Sequence, residues 1–459
     1  MTQPSLPNQQ NLLKSHLAKI RDAALVAVDP YQAVINHLGF RLEVSGQSDL
    51  HKIHHTLLNL SRNQRVLLIA VGKAAIRMTQ GVINLYGDYI SKGIVVTKYG
   101  HACGHSLPEK ILVIESGHPQ PDESGLEAAR LCHSLLTESD PWDLVIMLLS
   151  GGASALMPLP VPSISLAEIQ SFTASLFNAG ATIQEINAVR KHLDQLKGGQ
   201  LVQLAAPAPI LSLILSDVVG DPLDVIASGL TSPDPTTFAH AFWVLKRYDL
   251  LGRVSPAILS YLESGEKGNF PETPKPGHEI FNKTLNCIIG SNRQAAQAAI
   301  KRAADLGYKS LLLTTFLEGE AREVGKLAAA LIRGIRQNGD PLSAPACLVL
   351  GGETTVTVRG NGKGGRNQEL ALSAAISLAG VEQYALMALA TDGSDGPTDA
   401  AGAIVDGGTY SRIIRAGFDP LAALQDNNSY PVLEASGDLL RIGPTGTNVN
   451  DLLVILVGL

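Results

Sequence analysis

The densest run of chemically able residues extends from Gly351 to Glu369. Gly360, Gly362, Gly364 and Gly365 carry no Cβ, so backbone N–H groups there can come close to a ligand. Arg359, Lys363 and Arg366 add positive charge at a predicted helix, Asn367 to Leu378 with Asn367 as its cap. A helix dipole favours an anion at that end, so the expected chemistry is anion binding, with phosphate the commonest ligand. A basic turn without a ligand is the plain alternative. Two more glycine turns follow apolar runs: Gly72-Lys73-Ala74-Ala75, and Ser150-Gly151-Gly152-Ala153-Ser154. A lysine at a strand-to-helix turn sits where ligands bind in open α/β sheets, though a solvated lysine reads the same way. Small residues with free N–H groups suit a carboxylate or phosphate, and close helix–strand packing selects them too. Acids follow two other apolar runs: Asp217, Asp221 and Asp224 after one, Asp392, Asp395 and Asp399 after the other. Phosphoryl transfer needs acids in such places to hold Mg²⁺ or accept a hydroxyl proton. Aspartate before glycine or proline is also ordinary turn chemistry. Asp217 is read as functional and Asp224 as a turn residue.

These residues need elements to hold them. Apolar runs predict strands at 65–71, 93–97, 111–115, 143–150 and 211–215, then at 285–290, 309–315, 347–350, 384–390 and 452–456. An alternating run predicts one more at Thr355–Val358. Helical periodicity fills the intervals, including one long helix from Ile183 to Leu201. Arg190, Lys191 and His192 are consecutive there and cannot share one helical face, so most of them are expected in solvent. The order of elements points to an α/β fold. A chain of 459 residues exceeds one ordinary core. The polar, proline- and glycine-rich stretch from Glu263 to His278 is the best boundary, giving domains 1–268 and 279–459.

The balance of charge excludes some functions. A net charge of −6 leaves no basic surplus for a nucleic-acid strand. Four scattered cysteines look like reduced thiols rather than a disulfide framework. The N-terminal residues 1–10 lack the pattern of a signal peptide, and no apolar run is long enough to span a bilayer, so a cytoplasmic protein without a membrane partner is expected. His101, Cys103 and His105 alternate in one loop but lack a second ligand pair, which argues against zinc. His118, in a rigid Gly-His-Pro turn, could face a cleft or cap a helix. The P-loop, nucleophile-elbow and protein-kinase signatures are all missing. A literal G-x-G-x-x-G at Gly360, Gly362 and Gly365 follows an alternating strand and is flanked by cations, which disfavours a dinucleotide site.

Taken together, the motifs resemble the class II glycerate kinases. The resemblance rests on Val71-Gly-Lys73-Ala, Lys98-Tyr-Gly-His101, Gly117-His-Pro119, Ser150 to Ser154, Val189-Arg-Lys-His-Leu193 with Lys197-Gly-Gly199, Ser216 to Asp221, Gly351 to Thr355, Gly364 to Glu369, and Thr391 to Asp399. They span nearly the whole chain in family order. The resemblance implies a Rossmann-like N-terminal parallel sheet flanked by helices, and a smaller C-terminal mixed α/β domain with a MOFRL-type segment at about 345–455. It implies an active site in the interdomain cleft and ATP-dependent phosphorylation of D-glycerate with Mg²⁺, most often to 2-phosphoglycerate. The family's lysine and arginine map to Lys73 and Arg366, with Asp217 as the third catalytic candidate. Gly151, Gly152, Ser154, Gly351, Gly352, Glu353, Gly364, Gly365 and Asp392 become candidates for holding nucleotide or substrate, and Asp217 and Asp221 for the metal. D-glycerate and ATP are the expected partners, for a monomer or homodimer. The alternative activity is NAD(P)H-dependent reduction of hydroxypyruvate. A non-catalytic sugar-acid-binding protein is a third reading, which the two acid clusters argue against.

Overall fold

The computed structural model describes residues 6–39 and 64–458. Residues 1–5 of the polar N-terminal stretch, and 40–63 within the first expected domain, lie outside the described residues. Two compact units form. One comprises Pro30–Ser216 and Asp221–Ile289, and the other Met1–Asp29, Asp217–Gly220 and Gly290–Leu459.

The first unit is built on β1 (Val66–Val71), β2 (Ile90–Lys98), β3 (Ile111–Ser116), β4 (Leu144–Leu149), β5 (Ile210–Leu215) and β6 (Thr284–Gly290). Every residue of β1, β4 and β5 is buried. Helices cover both faces of such a sheet, which is why these strands read as unbroken apolar runs. The strand order is β3-β2-β1-β4-β5-β6, with parallel pairing from β3 through β5. The order reverses between β1 and β4, where an open α/β sheet leaves a crevice beyond its carboxyl ends. β6 lies C-terminal to the polar stretch 263–278 and still joins this sheet. A separate apolar core joins helices Leu166–Asn178, Ile183–His192, Phe238–Arg247 and Pro256–Glu266. The helix predicted at 183–201 stops at His192. Gly198 and Gly199 take φ of +62° and +81°, and a second helix starts at Gln200.

The second unit holds β7 (Lys309–Leu317), β8 (Ala346–Gly352), β9 (Tyr384–Ala390), β10 (Gly402–Asp406), β11 (Leu439–Leu440) and β12 (Asp451–Val457), in the order β11-β10-β9-β12-β8-β7. β7 and β8 pair in parallel and the other neighbours antiparallel. The last strand of the chain is therefore central in its sheet. Helix Leu6–Ala27 belongs to this unit. Its Lys14 pairs with the buried carboxylates of Asp406 at 2.7 Å and Asp438 at 3.2 Å. The strand expected at Thr355–Val358 does not form. Thr355 makes one bridge to Glu320, whose carboxylate takes the Thr357 N–H. Among the described residues no helix is long and apolar enough to cross a membrane.

Candidate active site

The first unit brings two of the glycine turns side by side. Lys73 leaves β1 and the Ser150–Ser154 turn leaves β4, the strands flanking the reversal of order. The Lys73 N–H donates to the Gly151 carbonyl at 2.9 Å, and the Ala74 N–H to Ser150 Oγ at 3.1 Å. A side chain at residue 72 would put its Cβ 2.2 Å from Ser150 Oγ, so only glycine lets the turns close this tightly. Gly152 has φ of +88° and starts helix Ala153–Leu156. The His118 ring lies over it: a Cβ there would fall 2.9 Å from His118 Cδ2. Ser154 Oγ is 2.8 Å from Ser228 Oγ, which donates to Asn187 Oδ1 at 2.9 Å.

Helix Ile183–His192 corrects the expectation of solvated cations. Lys191 is buried, with Nζ 3.2 Å from Asp234 and 3.4 Å from Asp224. Asp224, expected as turn chemistry, is thus an ion-pair partner. His192 is buried as well, with Nδ1 at 2.7 Å from the Ala188 carbonyl and Nε2 at 3.0 Å from Glu272. Arg190 is not exposed either, and burial lowers its pKa. One helical turn separates Asn187 from Lys191, so one buried face of the helix grips the 221–229 loop at Ser228 and at Asp224. In that loop Asp221, Ala227 and Ser228 have φ of 55°, 52° and 53°. Such left-handed residues without glycine are costly and persist only where their surroundings enforce them. Burial pushes the Asp221 carboxyl up, against a hydrogen bond from Ser216. Asp217 follows β5 and is half-buried.

The second unit holds Arg366 at the first position of helix Arg366–Ser377. Its Nε and one terminal nitrogen bind the Asp451 carboxylate at 2.6 and 3.0 Å, and the other terminal nitrogen binds Glu353. Burial weakens the arginine's charge, but Asp451 and Glu353 outweigh it and hold the guanidinium above its ordinary pKa. Burial, with Asp395 nearby, pushes Asp451 up to about 7 in spite of Arg366. Asn292 Nδ2 fixes this corner by donating to the Val449 and Asp451 carbonyls, both at 2.9 Å. Gly351 allows that approach, since a Cβ there would meet Asn292 Oδ1 at 1.7 Å, and Gly352 abuts the Leu317 backbone. Asp392 turns onto the Ser394 N–H at 3.0 Å.

The glycine-rich loop is not the phosphate cradle its composition suggests. Asn427 Oδ1 accepts the N–H groups of Arg359 and Gly360, at 2.7 and 3.1 Å. Asp426 takes those of Asn361 and Gly362, and Asn428 that of Lys363. Five consecutive amides are thus committed to the 426–428 segment. The glycines fit that neighbour, because a Cβ on Gly360, Gly362 or Gly364 would collide with Asp426, Asn428 or Ser429. Gly365 abuts Asp395 in the same way. The helix start already has its anion: Asp395 accepts the N–H groups of Asn367 and Gln368 at 3.1 and 2.9 Å. Asn367 is therefore not the cap; Gly365 holds that position and Asp395 caps from 28 residues away.

Sequence reasoning missed Asp451, Asp234, the burial of Lys191 and the capping role of Asp395, which it had read only as one acid of a cluster. An acid at the head of the otherwise apolar β12 was the one available signal for Asp451.

A doubly wound sheet with a lysine at its switch point, followed by a mixed sheet carrying a carboxylate-held arginine, defines a two-unit α/β protein. The model of a domain of unknown function, DUF4147, matches residues 16–263, and the MOFRL family model matches 346–451. A D-glycerate 2-kinase of Thermotoga maritima is 46% identical over 87% of this chain and 92% of its own. A glycerate 2-kinase of Pyrococcus horikoshii is 42% identical over 95% of each chain. A putative hydroxypyruvate reductase of Agrobacterium vitis is 39% identical, covering 96% and 94%. The crystal structure of the Thermotoga maritima glycerate kinase superposes with a TM-score of 0.86 at 42% identity, over 97% of this chain and 100% of that one. The chain belongs to the two-domain glycerate kinase family.

Proposed function

We propose that this protein transfers the γ-phosphoryl group of ATP to D-glycerate, giving 2-phosphoglycerate and ADP. Lys73 beside the Ser150–Ser154 turn, at the reversal of strand order, carries the reading. That place offers a cation, backbone N–H groups and a helix start to an anionic reactant. Lys73 and Arg366 offset the charge that spreads over the transferring phosphoryl group. Gly151, Gly152 and Ser154 hold an anionic end of substrate or nucleotide. Glu353 and Asp392 serve the nucleotide through carboxylates of the second unit, and Gly351, Gly352, Gly364 and Gly365 serve it only by letting the segments around that corner pack closely.

Asp217 and Asp221 offer carboxylate oxygens, the hard donors that magnesium prefers, and so they fit the ion. Among the described residues no three His, Cys, Asp or Glu side chains cluster to hold a metal. Magnesium bound at the two aspartates would take its remaining ligands from phosphate and water, and would neutralise phosphate charge there. Asp217 either ligates that ion or orients the glycerate hydroxyl. The four cysteines are free thiols, which suits a cytoplasmic enzyme. We assign it as a monomer or homodimer.

The test is purified protein with D-glycerate, ATP and Mg²⁺, followed by ADP release and phosphorus NMR. ADP with a 2-phosphoglycerate signal is expected, and a 3-phosphoglycerate signal would move the phosphate. Lys73→Ala and Arg366→Ala should each lower kcat by about 10²-fold or more. Full activity in both would remove them from the mechanism. The 3-2-1-4-5-6 strand order also favours a second reading, NAD(P)H-dependent reduction of hydroxypyruvate. Against it, Gly360, Gly362 and Gly365 face the protein's own residues. NADH oxidation on hydroxypyruvate without coupling enzymes would revive it.

A further inference from the structure

His118 lies at the Lys73 site, and the mechanism so far gives it no task. It follows β3, and its ring rests on Gly152 in the turn after β4. It is half-buried, and among the described residues neither ring nitrogen has a hydrogen-bond partner. A half-buried imidazole with both nitrogens open, beside a glycine turn and a lysine, is arranged to meet a ligand. We propose that His118 is the general base of the transfer: an imidazole nitrogen accepts the proton of the glycerate hydroxyl. This rests on the kinase reading above.

The step balances. The hydroxyl O–H bond breaks and its proton passes to the imidazole. The freed oxygen pair forms a bond to the γ-phosphorus. The bond from that phosphorus to the β,γ-bridging oxygen breaks, and ADP leaves with the electron pair. The surroundings keep the base in working form. Burial first, then the charges of Lys73, Lys98 and His101, push the imidazole down to about 4. It is therefore neutral across the physiological range, with one nitrogen lone pair available. Bound glycerate and ATP bring negative charge that offsets Lys73 and Lys98. The proton affinity of the imidazole rises only when the substrates are in place. With the proton assigned to His118, Asp217 is left to the magnesium ion.

The experiment compares wild type, His118→Ala and His118→Gln in the glycerate kinase assay, with thermal unfolding of each. Gln keeps a polar group over Gly152 but cannot take a proton. Both variants should lose about 10²-fold or more in kcat, with the ATP KM within threefold of wild type. Added imidazole should restore His118→Ala at least tenfold, which a packing role would not allow. If His118→Gln keeps kcat within threefold of wild type, or imidazole restores nothing, the base assignment is overturned while the kinase reading stands. A wild-type protein inert toward glycerate and ATP overturns the kinase reading and the base with it.

Discussion

Replacing Lys191 by methionine removes one charge from a site with almost no water. Lys191 is 2% exposed and Asp234 is fully buried, while Asp224 keeps about a third of its side-chain surface in solvent. Removing one partner of a buried pair costs about 3–5 kcal/mol, because the other charge is left uncompensated. Asp234 retains the Thr236 N–H at 3.0 Å, the Thr236 hydroxyl at 2.7 Å and the Thr273 hydroxyl at 2.8 Å. Those bonds offset part of the loss, and Asp224 can turn to water. The expected destabilisation is about 2–4 kcal/mol. Trp142 and Trp243 are the chain's two tryptophans and both lie in the first unit, so their fluorescence during urea unfolding reports on that unit alone. Adding Asp234→Asn should cost less than the sum of the single changes, with a coupling of about 1–3 kcal/mol.

The sign of the pH dependence follows from Asp234. Burial opposes its charge, but Lys191 and Thr236 outweigh it and hold the carboxyl below its usual value. A folded pKa below the unfolded one gives stability that is present above about pH 4 and lost as pH falls through the folded value. The gap between wild type and Lys191→Met should thus be largest near neutral pH and shrink in acid, where Asp234 takes up a proton first in the variant, whose buried carboxylate has lost its cation. A gap under about 0.5 kcal/mol at pH 7, or one unchanged at pH 3, would refute the electrostatic account.

Asp395→Ala should cost about 2–3 kcal/mol by stripping the caps from the Asn367 and Gln368 N–H groups, read by thermal unfolding; an unchanged midpoint would contradict the cap. Gly152→Ala should cost about 1–2 kcal/mol for its left-handed φ and also lower kcat, because its Cβ would displace the His118 ring. Gly180→Ala, with φ of +77° and open space around it, is the control: similar strain, unchanged kcat. Asn427→Ala leaves two loop amides without a partner and removes one bond to Glu369, which keeps Arg322, so trypsin should cut faster after Arg359 and Lys363; equal cutting rates would show that the loop is held otherwise.

Most strands with both faces buried were legible, but β10 (Gly402–Asp406), nearly as buried, was not read from the sequence. Tyr384–Ala390 matches to the residue, and the other apolar runs fall within a few residues of the observed strands. Thr355–Val358 alternated like a strand but has no neighbour to complete a ladder. The adjacency of Lys73 and the Ser150–Ser154 turn was not legible, because pairing between β1 and β4 joins residues far apart in the chain. The glycine loop misled for a related reason. Its composition describes a surface without side chains, and the occupant is Asp426 to Asn428 rather than an anion from solution. Nothing local distinguishes a glycine kept open for a ligand from one kept open for another segment of backbone.

By itself the sequence determined the α/β class, the strand ends at which chemistry can sit, and the family to which the chain belongs. These follow from runs of apolar residues and from motifs a few residues long. Tertiary structure alone decided which partner each charge has: Asp451 and Glu353 for Arg366, Asp234 and Asp224 for Lys191, and Asp395 for the helix start. It also decided that β6 joins the first sheet and helix Leu6–Ala27 the second unit. The physical reason is range. Propensity and hydrophobic period act over a few residues, whereas ion pairing and burial depend on distances set only when separate segments of the chain meet.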